Sequence, residues 1–309
     1  MTDVAVPPLP NQKDGLPEAR PMLGIMLRLA AMAVLGVMFA LVKLANEHGV
    51  HFVESLFWRQ LAGLPAVILW LWSIGKLHEV GTANPVAHAL RSGLGLGAMA
   101  LNFAAMTMLP MAEATTISFA SPIFATMLAA LLLAEPTGKY RWGAIALGFI
   151  GVLLAMRPGT ASHGIGPWIA LAGALLTAAV LIQLRRMSKN ENAGAIVFWF
   201  SLSTLVPLGI GMIFVGKEHD ATSWAIVAGL AACGAIGQLL LTSAMRHASV
   251  ATIATMDYSG LIWSILFGYL IFDTLPGTGT WIGAPVIIAA GLIIIWREQQ
   301  LARLWVKKN

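Results

Sequence analysis

Ten stretches of about twenty apolar residues, separated by short connectors, run through this 309-residue chain. They fall at roughly 25–46, 55–74, 90–109, 112–134, 140–157, 165–184, 194–215, 221–244, 248–272 and 279–297. A bilayer core about 30 Å thick needs ~20 residues of helix to cross it. Inside lipid the backbone must satisfy its own hydrogen bonds, which leaves helices or a closed barrel. Only 11% of the residues are charged and 58% are hydrophobic, whereas a soluble domain carries about 25% charge. The chain cannot cover itself with polar surface, so its partner is a lipid bilayer. The expected fold is an all-α integral membrane protein of ten transmembrane helices, with no room for an extramembrane domain. Residues 1–24 are polar and proline-rich and read as a disordered cytoplasmic tail; 298–309 read as a basic cytoplasmic tail. No small-residue cleavage site follows the first apolar run, so it is expected to be a retained span.

A net charge of +5 is compatible with nucleic acid, but the basic residues fall between the apolar runs instead of forming one stripe. That placement is what cytoplasmic loops require. With the N-terminus inside, fifteen of the nineteen Lys and Arg residues face the cytoplasm and four (Lys43, Arg59, Arg157, Lys217) do not. The expected topology is N-in and C-in, and no nucleic-acid partner is expected. The single cysteine, Cys233, excludes an internal disulfide and reads as a small core residue.

The stretch "ASPIFATMLAALLLAEPTGKYRWG" (120–143) has a proline early in a greasy run that stops at Glu135-Pro136. A related pattern recurs at 248–297. Ala112, Thr116 and Ile117 match Ala248, Thr252 and Ile253 at an offset of 136; Glu135 matches Asp273 at 138; Gly143, Gly151 and Arg157 match Gly283, Gly291 and Arg297 at 140. The repeat unit holds five spans, an odd number, so the second copy enters the membrane from the opposite side. Inverted repeats of this kind mark secondary transporters, whose substrate site lies near the midplane between the halves.

The segment "LPMAEATTISFASPIFATMLAALLLAEPTGKYRWGAIALGFIGVLLAMRPG" (109–159) resembles the EamA-type repeat of the drug/metabolite transporter superfamily. The resemblance rests on an Ala-rich span with a proline, a closing acid, and a Trp-Gly-led span ending in Arg-Pro-Gly. In the second copy Gly260 stands where many relatives have proline and Asp273 where Glu is commoner. The resemblance implies two five-helix repeats (25–159 and the inverted 160–297), a central cavity and alternating access. "FVESLFWRQLAG" and "MDYSGLIWSILFGYLIFDTLP" are similar to the bacterial branch named for S-adenosylmethionine uptake.

An ionisable group inside a span costs about 2.5–3.5 kcal/mol on insertion scales and is a functional candidate by default. Asp257 lies near mid-membrane and reads either as a proton- or cation-binding carboxylate or as a structural partner for an arginine. Lys43 and Arg59 offer positive charge to an anionic substrate, or snorkel and pair, Arg59 with Glu54. Arg91 opens its span and reads as a cytoplasmic anchor. Asn102, Gln183 and Gln238 occupy spans that line the cavity in relatives, and with Tyr258 they are the expected substrate contacts; packing between helices is the alternative for each. Trp263 lies deep enough to line the cavity. Pro122 is the expected bend or hinge of the fourth span.

"GLGLG" (93–97) sits inside an apolar span without a preceding strand, so small-residue helix packing explains it better than a dinucleotide site. No P-loop is present. His48 and His51 lack a clear third metal ligand beyond Glu47 or Glu54, so no metal and no cofactor are expected. The expected function is secondary active transport of a small metabolite (amino-acid-like, nucleoside-like or drug-like) across the inner membrane, possible coupling to protons included, by a functional monomer or weak dimer. The alternative is an intramembrane enzyme acting on a lipid or isoprenoid, for which the chain offers no paired acids at depth; a passive channel would need a continuous polar stripe.

Overall fold

Long apolar segments fold as helices here, and polar residues in the connectors set where they begin. The computed structural model describes residues 21–82, 84–132, 138–157, 164–188, 191–247 and 254–308. Its helices are α1 (Pro21–Glu47), α2 (Phe52–Ser73), α3 (Pro85–Met108), α4 (Met111–Ser118), α5 (Ser121–Leu132), α6 (Lys139–Met156), α7 (Gly166–Met187), α8 (Ala193–Val215), α9 (Ala221–His247), α10 (Gly260–Phe272) and α11 (Thr278–Lys308). A 3₁₀ turn, Asp257–Ser259, leads into α10. No strand occurs among the described residues.

The caps are local and chemical. His51 begins α2 with a reciprocal capping box: its ring accepts from the Val53 N–H, and Glu54 accepts from the His51 N–H at 2.9 Å. Asn84 caps α3 by accepting from the Ala87 N–H at 3.0 Å, with Pro85 at the first helical position, where a missing N–H costs nothing. Asp220 caps α9 through the Ser223 N–H, and bonds from the Ser223 hydroxyl and N–H hold its carboxyl below the usual range. Asp273, the acid expected to close the ninth span, does so as a left-handed C-cap of α10 (φ 49°). Its first-copy counterpart Glu135, with Pro136, lies outside the described residues, as do Ala248, Thr252, Ile253 and residues 1–20.

Nine helical segments among the described residues are long and apolar enough to cross a membrane, with α4 and α5 read through as one. The ninth-to-tenth difference falls on α3, whose 24 residues are diluted by His88, Arg91, Ser92 and three glycines. Two boundaries differ from the sequence reading. α1 starts at Pro21, and α11 continues to Lys308, through the segment expected as a basic tail. The fourth span is broken at Phe119–Ala120, and Pro122 sits in the first turn of α5 instead of mid-helix.

The bundle is greasy outside. Ile213 and Phe214 are 79% and 82% exposed, and Val86, Val206, Ile262 and Leu270 stand out similarly. Such a surface suits lipid, and the chain is a multi-pass membrane protein. Inside, one apolar cluster centres on Leu109, Met111, Ile117, Ile123 and Ile287, a second on Met38, Val42, Leu56, Phe103 and Leu230.

The most extensive helix pairs are α1 with α9, α6 with α11, α3 with α7, and α2 with both α8 and α9. Glycines permit these approaches. Gly237 and Gly229 of α9 face Leu35 and Leu41 of α1; Gly173 and Gly166 of α7 face Asn102 and Leu109 of α3; Gly194 and Gly211 of α8 face Leu71 and Val53 of α2. In each case the order reverses, so the pairs are antiparallel. Association in lipid depends on such close packing, because lipid tails supply no hydrophobic drive.

Candidate functional site

Two cavities lined by described residues open inside the bundle, both touching α3. The larger, about 220 Å³, is lined by Met32, Leu35, Gly36 and Phe39 of α1, Asn102 and Met106 of α3, Ala114, Thr115 and Ser118 of α4, Phe119, and Asp257, Gly260 and Ser264 at the start of α10. Aliphatic and aromatic walls with a few hydroxyls are the usual make-up of a small-molecule site. The hydroxyls are anchored: Thr115 and Ser264 are hydrogen-bonded at 2.7 Å, and Ser118 donates to the Thr115 carbonyl at 2.8 Å.

Asp257 is gripped by Arg28. Nε and Nη2 donate to its two oxygens at 2.5 and 2.7 Å, the parallel fork that Arg and carboxylate favour. The Arg28 side chain is 15% exposed and that of Asp257 36%, so the pair borders the cavity and is not sealed. Reading α1 from residue 25 placed Arg28 at the interface; a helix that starts at Pro21 places it two turns in. Asn102 donates to the Ala98 carbonyl and to Thr177 Oγ1, leaving its carbonyl as the available polar atom.

The smaller cavity, about 50 Å³, lies between α2, α3, α8 and α9. Its wall holds Arg59, Gln60, Arg91, Ser201 and Gln238. Arg59 donates to Gln60 Oε1 at 2.9 Å, and Gln60 in turn donates to Thr204 at 2.7 Å. The expected pairing of Arg59 with Glu54 does not form. Arg91 is turned inward with its guanidinium 3.8 Å from the centre of the Phe200 ring, not outward as an anchor.

The sequence candidates therefore divide. Asn102 and Asp257 share the larger cavity; Arg59 and Gln238 share the smaller. Lys43 donates to the Leu109 carbonyl at 2.9 Å and lies over Phe272, so its charge is tied to the end of α3. Gln183 is buried at the α7–α3 contact, with Nε2 3.4 Å from the Ala87 carbonyl. Tyr258 packs edge-on to Phe119, with its hydroxyl seated against Gly291; Trp263 stacks on Phe267 and lies against Gly36. None of these four lines either cavity. No cluster among the described residues could hold a metal.

Two histidine–glutamate contacts, missed in the sequence, sit at opposite ends of α2. At one end Glu54, 1% exposed, meets His219 at 2.8 Å and so ties α2 to the α8–α9 connector. At the other end Glu191, before α8, lies 3.3 Å from His88 of α3. Thr82 donates to Glu191 at 2.8 Å, the Asn84 N–H at 3.2 Å, and Trp199 closes the same region by donating to the Val80 carbonyl. Sequence spacing gave no signal, since each pair spans more than a hundred residues.

Burial opposes the Glu191 charge, but the bonds from Thr82, His88 and Asn84 outweigh it and hold the carboxyl below its ordinary value of 4.5. A depressed carboxyl stabilises the folded form fully above its unfolded pKa, and that contribution disappears as pH falls through the lowered value. Glu191→Gln is thus expected to melt earlier than wild type at neutral pH. The gap should close in thermal scans taken progressively below pH 4.5; a gap constant with pH would contradict this.

Residues 22–157 and 164–296 each match the EamA-like transporter family. The pseudopaline exporter of Pseudomonas aeruginosa is 24% identical over 270 residues, covering 86% of this chain and 94% of the relative. The riboflavin transporter of Rhizobium johnstonii is 28% identical over 287 residues, covering 88% and 92%. The S-adenosylmethionine uptake transporter of Rickettsia prowazekii is 27% identical over 251 residues, covering 81% and 85%. A crystal structure superposes with a TM-score of 0.61 at 17% identity, over 87% of this chain and 96% of that one, and shares its fold.

Proposed function

This chain belongs to the EamA-like transporter family, and from that premise we propose that it is a secondary active transporter working by alternating access between two inverted five-helix repeats. It is a transporter of small molecules and not an enzyme. The observation that carries the mechanism is the pattern of helix pairing. Take α3 as the third span, α4 with α5 as the fourth, and α10 with its 3₁₀ turn as the ninth. Exchanging each span with the one five places on then turns the α1–α9 pair into the α7–α3 pair. The same exchange returns α2–α8, α6–α11 and α4–α10 to themselves. Such a map is what two interleaved copies related by a pseudo-twofold axis produce, and five spans per copy require the axis to lie in the membrane plane. The double family match, one per half, supports the same division. The fifteen-to-four distribution of basic residues supports N-in and C-in in a bacterial-type inner membrane.

The substrate is a small metabolite held in the larger cavity beside Asp257 and Asn102. The relatives are named for import and export alike, so direction is set by gradients and not by the fold. A proton and Arg28 compete for the Asp257 carboxylate, which gives a route for proton coupling. Counterflow into liposomes containing the purified monomer, with labelled S-adenosylmethionine, riboflavin and amino acids offered in turn, tests the assignment; exchange of none of them would set this substrate range aside.

The two His–Glu contacts exchange under the same symmetry. Each joins the start of one central span (Glu54 of α2, Glu191 before α8) to the other repeat, His219 lying in the α8–α9 connector and His88 in the first turn of α3. Both are formed in this structure, and in alternating access each must break when its own face opens. Consider a cysteine placed at Ser201 of the smaller cavity, in a Cys233→Ser background. Glu54→Ala is expected to increase its labelling by an impermeant thiol reagent added outside, and Glu191→Ala from inside. Equal labelling in both variants would remove the latch roles.

A further inference from the structure

Arg59 and Arg91 come from different helices, enter the same cavity, and meet no carboxylate. Among the described residues neither makes an ion pair, and Arg59 Nε and Arg91 Nε and Nη1 are buried without an acceptor. Their neighbours are neutral: Gln60, Ser201, Gln238 and the Phe200 ring. Two cations held in a poorly solvated interior are costly unless an anion joins them. The backbone is nevertheless shaped to admit them. A Cβ on Gly95 would stand 2.6 Å from Arg91 Nη1 and 2.7 Å from Phe200; a Cβ on Gly234 would stand 2.8 Å from Arg59 Cγ. Glycine at both positions leaves notches in which the guanidinium groups lie. Phe200 supplies a face that orients Arg91 without neutralising it.

We infer that the cavity between α2, α3, α8 and α9 is an oxyanion site, in which Arg59 and Arg91 together hold a carboxylate or phosphate group. This rests on the transporter reading only in taking that group to belong to the solute. Guanidinium forks match such oxygens two at a time, which a lysine or an amide cannot do. The larger cavity lies close by. Met99, which touches Arg59 Nη1, stands one turn before Asn102 on α3, and Asn102 lines the larger space. A solute can therefore place its body against Phe39 and Asn102 and its anionic end between the arginines.

The test reads binding without flux. Thermal shifts of the full-length protein are measured in phosphatidylcholine nanodiscs with sodium phosphate or sodium acetate, against sodium chloride of equal ionic strength. A ligand that binds only the folded form raises the melting temperature saturably. The rise is expected in wild type, and weakened about ten- to hundredfold in apparent affinity in Arg59→Gln and Arg91→Gln. Without ligand, Arg59→Met is expected to be at least as stable as wild type, because an unpaired charge has been removed; a structural arginine would show the reverse. If only phosphatidylglycerol nanodiscs give an arginine-dependent rise, the site stands and its anion is a lipid headgroup. No rise with any probe, or an equal rise in the double Gln variant, overturns the proposal. Absent transport with intact anion binding would count against the transporter mechanism alone.

Discussion

Asp257→Asn, reconstituted in liposomes, is expected to lose substrate exchange while still inserting as a folded protein. The amide keeps the shape of the carboxylate but cannot answer the charge of Arg28, which then faces the larger cavity unpaired. Breaking a fully buried pair costs about 3–5 kcal/mol; this one is partly solvated through the cavity, so a loss nearer 2 kcal/mol is expected. The functional loss should be larger than that stability loss accounts for. On the proposed mechanism substrate and proton both act beside Asp257, and a permanently neutral residue would remove the competition between them. The charge-reversed double variant, Arg28→Asp with Asp257→Arg, separates the roles. It is expected to restore the melting temperature and not the transport, because the acid has moved to α1, at a position outside the cavity lining. Wild-type exchange by Asp257→Asn, or full rescue of exchange by the reversal, would reduce the pair to a structural tie.

The sequence was most legible where chemistry is local. Apolar length alone placed the spans, because crossing lipid requires it, and α2, α6 and α8 lie within a few residues of the expected bounds. Asp273 was recognisable as a helix stop because its residue type tolerates the left-handed turn it makes. The cavities were only half legible. Asn102, Asp257, Arg59 and Gln238 line them, yet their partners Arg28, Gln60 and Arg91 were read as anchors or not singled out. Depth along a helix can be counted from sequence, but the direction in which a long side chain turns cannot. Arg91 points inward because Gly95, one turn on, leaves it a notch beside Phe200, which lies 109 residues further along the chain. The same limit hid the histidine–glutamate contacts, whose members meet only after the halves interleave. Tyr258 and Trp263, by contrast, had depth and polarity in their favour, and packing against Gly291 and Gly36 claimed them.

Gly283→Leu is expected to yield little folded protein, and Gly143→Leu to fold normally but not transport. Both glycines belong to the α6–α11 pair and correspond across the repeat. The helices run antiparallel: Gly151 meets Gly283 and Ile287, Gly148 meets Ala290, and Arg297 reaches the Tyr140 ring. At the Gly151 end the contact is backbone to backbone. A Cβ on Gly283 would lie 2.6 Å from the Gly151 carbonyl and 2.7 Å from the Ala155 nitrogen, and no rotamer change relieves that. Even Gly283→Ala should cost about 1–3 kcal/mol, visible as a melting temperature lowered by several degrees. The repeat makes Gly143 and Gly291 the equivalent contact at the other end, but there the two glycines do not meet. Gly143 faces open space, and the Tyr258 hydroxyl occupies the place a Cβ on Gly291 would take. Under the proposed alternating access, a glycine contact at one end of the pair and none at the other marks an asymmetric state of α6 and α11; exchanging the two repeats would generate its counterpart, with Gly143 packed and Gly283 released. A leucine at 143 leaves the present state untouched, within about 0.5 kcal/mol, and obstructs the opposite one. Melting curves and exchange assays on the two variants read these effects separately. Undiminished exchange by Gly143→Leu would mean that the α6–α11 pair does not rock, and that the two faces open by some other movement.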